Sequence, residues 1–230
     1  LVDNASTECD PQTFKDAYPD LKLIRSEVNL GFAKGNNLGI KQAAGEYILL
    51  LNSDTELIED SVSKSIAYAD QLKDLGALSC KLIHPDGRHQ SVAQRFPSVR
   101  YLLFERLRIN KLLSKKKVGR ILLGAFFKHD ENLEVDWVWG AFFLFKRDSL
   151  KLLENGQLND EYFMYFEDMQ WCLDFKRNGL KNYYFAETSV IHKMGGSNAR
   201  KFQLLSENKT RYLNKNYNSL SAWLLNILYK

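Results

Sequence analysis

Tyr47, Ile48, Leu49, Leu50 and Leu51 are five apolar residues in a row, and Asn52-Ser53-Asp54 ends them without a transition. A strand with one wet face alternates, so an unbroken run of this length calls for a strand covered by helices on both faces. The polar triplet then falls just past the strand's C-terminal end, where open α/β sheets place their ligand-binding groups. One short stretch therefore constrains the chain to a layered α/β architecture and marks where its chemistry belongs.

The flanking sequence repeats the alternation of strand and helix. Leu1-Val2-Asp3 reads as the end of a buried strand. Asp10 followed by Pro11 is an N-cap and first-turn proline for a helix through Phe14, Ala17 and Tyr18 that stops at Pro19. Residues 21–24 form a short strand, and 33–44 a helix that Gly45 ends. Val62, Ile66, Ala69, Leu72 and Leu75 carry the spacing of an amphipathic helix. A strand over 77–83 closes on the turn His84-Pro85-Asp86-Gly87. One strand is expected over 135–145, interrupted at Gly140-Ala141, with helices over 149–154 and 167–178, strands over 183–186 and 189–192, and helix beyond. The sum is one domain over 1–230 with a mostly parallel mixed sheet, and with 95–130 as an irregular basic insertion. Leu1 starts inside a strand and the C-terminal segment stops while still apolar, so both ends read as cut from a longer polypeptide.

The formal net charge is +4, from 32 basic and 28 acidic residues. That excess is too small to argue for nucleic acid as a partner. The cations are uneven, however: Arg106, Arg108, Lys111, Lys115, Lys116, Lys117 and Arg120 cluster with apolar neighbours. The cluster is either a solvated loop or a peripheral contact with anionic lipid or a lipid-linked acceptor. Cys9, Cys80 and Cys172 show neither metal nor disulfide spacing, which fits a reducing cytoplasm. No run of about 18 apolar residues is present, so no segment spans a bilayer as a helix.

Several polar groups sit where elements end. Asp54, after the apolar strand, suits a hard divalent cation that also takes diphosphate oxygens, although a turn aspartate would look the same. Asp3 opens a second polar turn and would reach a nucleobase or ribose if its strand lay beside that of Asp54; an Asx turn is the alternative. Asn29-Leu30-Gly31 runs into a helix whose N-terminal amides suit phosphate, without the pattern of a Walker A loop. Glu167-Asp168 emerges from the aromatic stretch Tyr162-Phe163-Met164-Tyr165-Phe166, where burial makes a carboxylate a usable base near neutral pH. Two acids at a helix start also complement its dipole. His192 ends a strand ahead of Gly196-Ser197, whose backbone would approach a phosphate closely. Of Trp137 and Trp139, before Gly140, one faces a sugar ring or both are core.

In this order these residues resemble a family 2 glycosyltransferase, of the rhamnosyltransferase-like branch. The matching segments are Val2-Asp3-Asn4-Ala5-Ser6, Asn29-Leu30-Gly31-Phe32, Leu51-Asn52-Ser53-Asp54, Gly140-Ala141-Phe142, Phe166-Glu167-Asp168 and His192 with Gly196-Ser197. The resemblance implies a GT-A fold and inverting transfer of a sugar from a nucleotide donor, UDP- or dTDP-linked, to a hydroxyl acceptor such as a lipid-linked glycan. It implies Asp168 as base, Asp54 and His192 as contacts for Mn or Mg, and Asp3 at the nucleotide. Asn29, Gly31, Asn52, Trp139, Gly140, Glu167, Gly196 and Ser197 would then line the substrates. Asn52 departs from the pattern by placing a neutral amide at the first acidic position. The family's opening strand and following helix would precede Leu1. Two other readings stay open: a nucleotidyltransferase, which would release pyrophosphate, and a non-catalytic sugar-binding module.

Overall fold

The computed structural model describes residues 1–194 and 200–228. Its first half comprises β1 (Val2–Asn4), α1 (Gln12–Ala17), β2 (Ile24–Ser26), α2 (Gly31–Ile40), β3 (Tyr47–Leu51), β4 (Thr55–Leu57), α3 (Ser61–Ala69) and β5 (Leu75–Ile83). The second half comprises α4 (Val99–Arg106), α5 (Lys115–Leu122), β6 (Leu133–Val135), β7 (Phe142–Lys146), α6 (Glu167–Arg177), β8 (Lys181–His192), α7 (Lys201–Asn216) and α8 (Ser219–Leu228). Short 3₁₀ turns fill the joints at 109–112, 124–126 and 147–156.

β1 and β2 pair in parallel as a two-stranded sheet. The other six strands form one mixed sheet in the order β3-β7-β5-β8-β4, with β6 also on β8. The α/β class is as expected, but parallel pairing is scarcer than the sequence suggested. Within the large sheet only β5–β8 is parallel: β7 enters antiparallel between β3 and β5, and β4 and β6 run antiparallel to β8. That insertion also corrects the single strand expected over 135–145. Gly140-Ala141 divides it into β6, which pairs with β8, and β7, which pairs with β3 and β5. The two short strands expected near the end are one, β8, whose register against β5 shifts between Cys80 and Lys81.

The founding apolar run is buried less symmetrically than its composition implies. In β3, Ile48 and Leu50 are buried while Leu51 is exposed. Phe142, Phe143, Leu144 and Phe145 of β7 are the strand buried on both faces. With Leu78, Leu82, Trp171, Phe175 and Tyr184 they make the main core. A second cluster of Tyr162, Met169, Tyr212, Leu213, Ala222 and Leu225 joins α6 to α7 and α8. The stretch expected to be irregular carries α4 and α5, and Leu123 and Phe127 tie it into the main core.

The β5–β8 pair is interrupted between Leu75 and Leu78, which takes the Ala77 amide out of the strand ladder. Asn182, almost wholly buried, supplies the replacement. Its Oδ1 accepts from Ala77 N at 3.1 Å, and its Nδ2 donates to Asp136 O at 2.8 Å and to Cys172 O at 3.0 Å. One side chain thereby ties β5, α6 and the end of β6 together. Each buried backbone group left unpaired costs about 1–3 kcal/mol. Asn182→Ala is therefore expected to lower stability by about 2–4 kcal/mol, read as a fall in the urea midpoint with an unchanged slope.

Candidate active site

The tripeptide Trp139-Gly140-Ala141 between β6 and β7 holds two groups of candidate residues together. On one side, the Gly140 amide donates to Asp168 Oδ2 at 3.1 Å. On the other, Ala141 O accepts from Asn52 N at 3.0 Å, fixing the turn that carries Asp54. Gly140 is closely approached, since a Cβ there would lie 3.0 Å from the Phe32 ring, which would have to give by a few tenths of an ångström, and 3.6 Å from Asp168 Cβ. Trp139 and Trp137 are both half-buried and pack on the core, and Trp137 Nε1 donates to Arg95 O at 3.0 Å.

Asp168 lies in the first turn of α6, half-buried, with Oδ1 accepting from Met169 N at 2.8 Å. Burial pushes its carboxyl up to about 6, against the pull of the Gly140 and Met169 amides. Glu167 beside it is buried, and its Oε2 has no hydrogen-bond partner among the described residues. Burial first, and the charge on Asp168 second, hold Glu167 well above the ordinary 4.5.

At the far side of the tripeptide, β4 pairs with the end of β8 so that Thr55 faces His192. Lys193 N donates to Asp54 O at 2.8 Å, and His192 Nε2 stands 3.3 Å from Asp54 Oδ1. Gln90 decides what that contact is. Its Nε2 donates to His192 O at 2.7 Å, which turns its Oε1 toward His192 Nδ1 at 2.8 Å. Nδ1 then carries a ring proton, so in the neutral ring Nε2 holds the lone pair that faces Asp54, and in the charged ring it donates to that carboxylate. Desolvation lowers the histidine's proton affinity, opposed by Asp54. Two electron-pair donors converge where a cation satisfies both. Among the described residues no group of three or more His, Cys, Asp or Glu is placed to hold a metal.

Asn29 and Gly31 do different work from the phosphate cradle expected of them. Gly31 N donates to Asn29 Oδ1 at 2.9 Å, Leu30 N to Asn4 Oδ1 at 2.8 Å and Phe32 N to Phe163 O at 2.7 Å. The amides of residues 30, 31 and 32 are thus engaged inside the protein. Gly31 has φ +80° and a Cβ there would meet Phe163 O at 2.3 Å, so this residue is fixed by close backbone approach. Asp3 accepts from Ser6 N at 2.9 Å, and the Ser6 hydroxyl first and this amide second lower its carboxyl. Its strand pairs with β2 while β3 pairs with β7, so among the described residues β1 is not hydrogen-bonded beside the Asp54 strand. Gly196 and Ser197 lie outside the described residues.

The approach to α6 is strained. Tyr165 and Phe166 have φ of 70° and 75°, a left-handed conformation that costs side-chain-bearing residues about 1–3 kcal/mol each. One face of α7 holds them there. Asn208 Nδ2 donates to Met164 O at 2.9 Å and to Tyr165 O at 3.1 Å. Arg211 donates to Glu161 O at 3.0 Å and pairs with its carboxylate at 2.8 Å, and Lys215 bonds the same carboxylate.

Residues 1–153 match the model of glycosyl transferase family 2. The chain belongs to that family. It is 25% identical to an N-acetylglucosaminyl-diphospho-decaprenol L-rhamnosyltransferase of Mycobacterium tuberculosis, covering 93% of this chain and 72% of that one. It is likewise 25% identical to the rhamnosyltransferase WbbL of Escherichia coli, over 89% of this chain and 80% of the relative. Among solved structures, GalNAc-T7 with UDP, GalNAc and Mn²⁺ matches at TM-score 0.59 and 15% identity, over 91% of this chain. A mannosyltransferase of Pyrobaculum calidifontis with GDP-Man and Mn²⁺ matches at 0.55 and 16%, over 92%. The chain spans 41% and 51% of those two, which share its fold. It is a glycosyltransferase domain of the GT-A kind, related to enzymes of glycan and polysaccharide assembly.

In this family 2 domain, sequence reading missed Gln90 and Asn208, which act only through long-range contacts. The available signal for the second was the spacing of Asn208, Arg211 and Lys215 on one face of α7, beside the buried Tyr212. Asn208→Ala frees two backbone carbonyls and relaxes the turn that aims Asp168. With Asp168 as the reacting carboxylate, kcat should fall by about 10-fold or more and nucleotide affinity change little, since small misplacement of a reacting group is costly; an unchanged kcat would separate this turn from the chemistry. Asn208→Asp, which cannot donate, should behave like the alanine variant.

Proposed function

We propose that this chain catalyses inverting, metal-dependent transfer of a hexosyl or deoxyhexosyl group from a nucleoside diphosphate to an acceptor hydroxyl. The observation that supports it best is the support shared by Asp168 and the Asp54 turn: Gly140 N holds one and Ala141 O the other. A proton acceptor and a candidate cation site are thereby set on either side of one rigid tripeptide.

In this reading the acceptor hydroxyl loses its proton to Asp168 as its oxygen bonds to the anomeric carbon. The bond from that carbon to the donor diphosphate breaks on the opposite face, which inverts the configuration. Asp168 suits the task because its carboxyl, raised to about 6, is ionised at neutral pH yet basic enough to take a proton. Asp54 Oδ1 and His192 Nε2 would hold Mn²⁺ or Mg²⁺, with donor phosphates completing the shell. When bound, such an ion supplies charge neutralisation for the leaving diphosphate. Gln90 keeps His192 in the tautomer that can ligate.

Asp3, Asn29 and Gly31 are assigned to the nucleotide side, the latter two by shaping the loop through Asn4 rather than by offering free amides. Asn52 shapes the Asp54 turn, accepting from Thr55 N at 3.2 Å. Trp139, Gly140 and Glu167 are assigned to the sugar and acceptor, and Gly196 and Ser197 to the diphosphate. The donor is a UDP- or dTDP-sugar, in keeping with rhamnosyltransferase relatives and with neighbours holding UDP or GDP-Man. The named acceptor of the mycobacterial relative is lipid-linked. A similar acceptor here would bring a cytoplasmic enzyme to the inner face of the membrane, where its three free cysteines stay reduced.

Two measurements test this. Titration calorimetry with UDP, dTDP and GDP should find one nucleotide whose binding requires Mn²⁺ and disappears in Asp54→Ala; binding indifferent to both changes would remove the cation assignment. Separately, Asp168→Asn should keep nucleotide binding and lose about 10²–10⁴ in kcat, the usual worth of a positioned base. Because only the ionised carboxylate accepts the proton, wild-type kcat should rise with pH through about 6 and then level. A profile flat from pH 5 to 8 would take the role of base from Asp168.

A further inference from the structure

We infer that α4, the turn after it, the start of α5 and the outer face of α8 form a surface that docks on an anionic phospholipid bilayer. Charge gives the first reason. Residues 100–117 hold seven of the chain's 32 basic residues and one of its 28 acidic ones. That is a formal +6 in a protein whose total is +4, so the remainder of the molecule is slightly acidic. The cations are exposed. Lys116 shares Glu131 with Arg120, whereas Arg100, Arg108, Lys111, Lys115 and Lys117 have no carboxylate partner among the described residues.

Exposed apolar side chains interleave with these charges. Leu107 is 68% exposed and Leu112 82%, with Leu103 and Ile109 beside them. Single surface leucines need no explanation, but four within ten residues among cations match an element that lies in a lipid interface. Helix α8 repeats the pattern. Ala222 and Leu225 are buried in the second core cluster, while Leu220, Trp223 and Ile227, spaced three and four apart, form an exposed apolar stripe. Arg106 donates from Nη2 to Leu228 O at 3.3 Å, which fixes α8 next to α4. A helix apolar on opposite faces is unusual on a water-facing surface. A bilayer accounts for both features, because cations meet lipid phosphates while leucine and tryptophan enter the headgroup layer. Nucleic acid would account for the charge and leave the leucines without a partner. No described helix is long and apolar enough to cross a membrane, so the contact is peripheral.

The test is flotation of the full chain with vesicles of phosphatidylcholine alone or with 30 parts in 100 of phosphatidylglycerol (on the order of a natural anionic fraction) at low salt. We expect binding only to the anionic vesicles, with a blue shift in emission from Trp223. The other three tryptophans are buried or half-buried. Replacing Lys115, Lys116 and Lys117 by Glu should weaken binding at least 10-fold, and so should raising the salt. Trp223→Ser should weaken it less and abolish the blue shift. No binding to anionic vesicles at low salt, equal binding to both compositions, binding unchanged by the lysine replacements, or retention by single-stranded DNA in place of vesicles would overturn the inference. Retention of the blue shift in Trp223→Ser would remove α8 from the surface. The measurement uses neither nucleotide nor metal, so it succeeds or fails independently of the transferase reading.

Discussion

The site depends on a turn that the chain would not adopt by itself. Tyr165 and Phe166 both occupy left-handed backbone space, and the residue after them begins α6 with Glu167 and Asp168. Three elements impose that conformation. The start of α2 approaches so closely that Phe32 N bonds Phe163 O and residue 31 can carry no side chain. The face of α7 grips the carbonyls of Met164 and Tyr165 through Asn208. The buried ring of Tyr162, with Arg211 over it, anchors the near end. The turn's few kcal/mol of strain is offset by contacts that lie far apart in sequence.

From this turn the organisation passes through Gly140. The glycine lets the Phe32 ring, the Asp168 side chain and the β6–β7 connection meet at one point, and its neighbour Ala141 fixes the Asn52 turn. Moving any of these pieces moves the others. The arrangement explains why β7 enters the sheet antiparallel between β3 and β5. That position carries residues 139–141 to the end of β3 where Asp54 sits, while the rest of β7 fills the core with phenylalanines.

What was legible in the sequence was local. The end of an apolar run located Asp54, an aromatic stretch located Glu167-Asp168, and a strand end located His192; each signal lies within a few residues. Sheet order was not legible, since an apolar run reports burial and says nothing of direction, and so the antiparallel entry of β7 went unseen. The division of residues 133–146 into two strands left a mark at Gly140-Ala141, but the mark alone does not tell a kink from a change of partner. Hydrogen-bond partners distant in sequence were invisible for the same reason. Asn182, Gln90 and Asn208 are ordinary polar residues until folding brings orphan backbone groups or a histidine to them. In the Asn29-Gly31 loop the same distance hid the partners of the Leu30 and Phe32 amides, Asn4 and Phe163.

The acidic pair at the head of α6 shows how packing distributes roles between two similar groups. Burial disfavours the charged form of both, and the charge on one further disfavours ionising the other. Hydrogen bonding breaks the tie. Asp168 accepts from two backbone amides, which favours its carboxylate, whereas Glu167 Oε2 meets no donor among the described residues. The proton therefore stays on Glu167, and Asp168 is the member that ionises. The same asymmetry has a thermodynamic sign. Both folded-state values lie above the ordinary ones, so the native state keeps protons that the unfolded chain has released, and stability falls as pH rises between the two. The acidic pair is thus least favourable to the fold at the pH where Asp168 is ionised. The turn ahead of it is held by contacts of another kind, the buried Asn208 amide and the doubly paired Glu161.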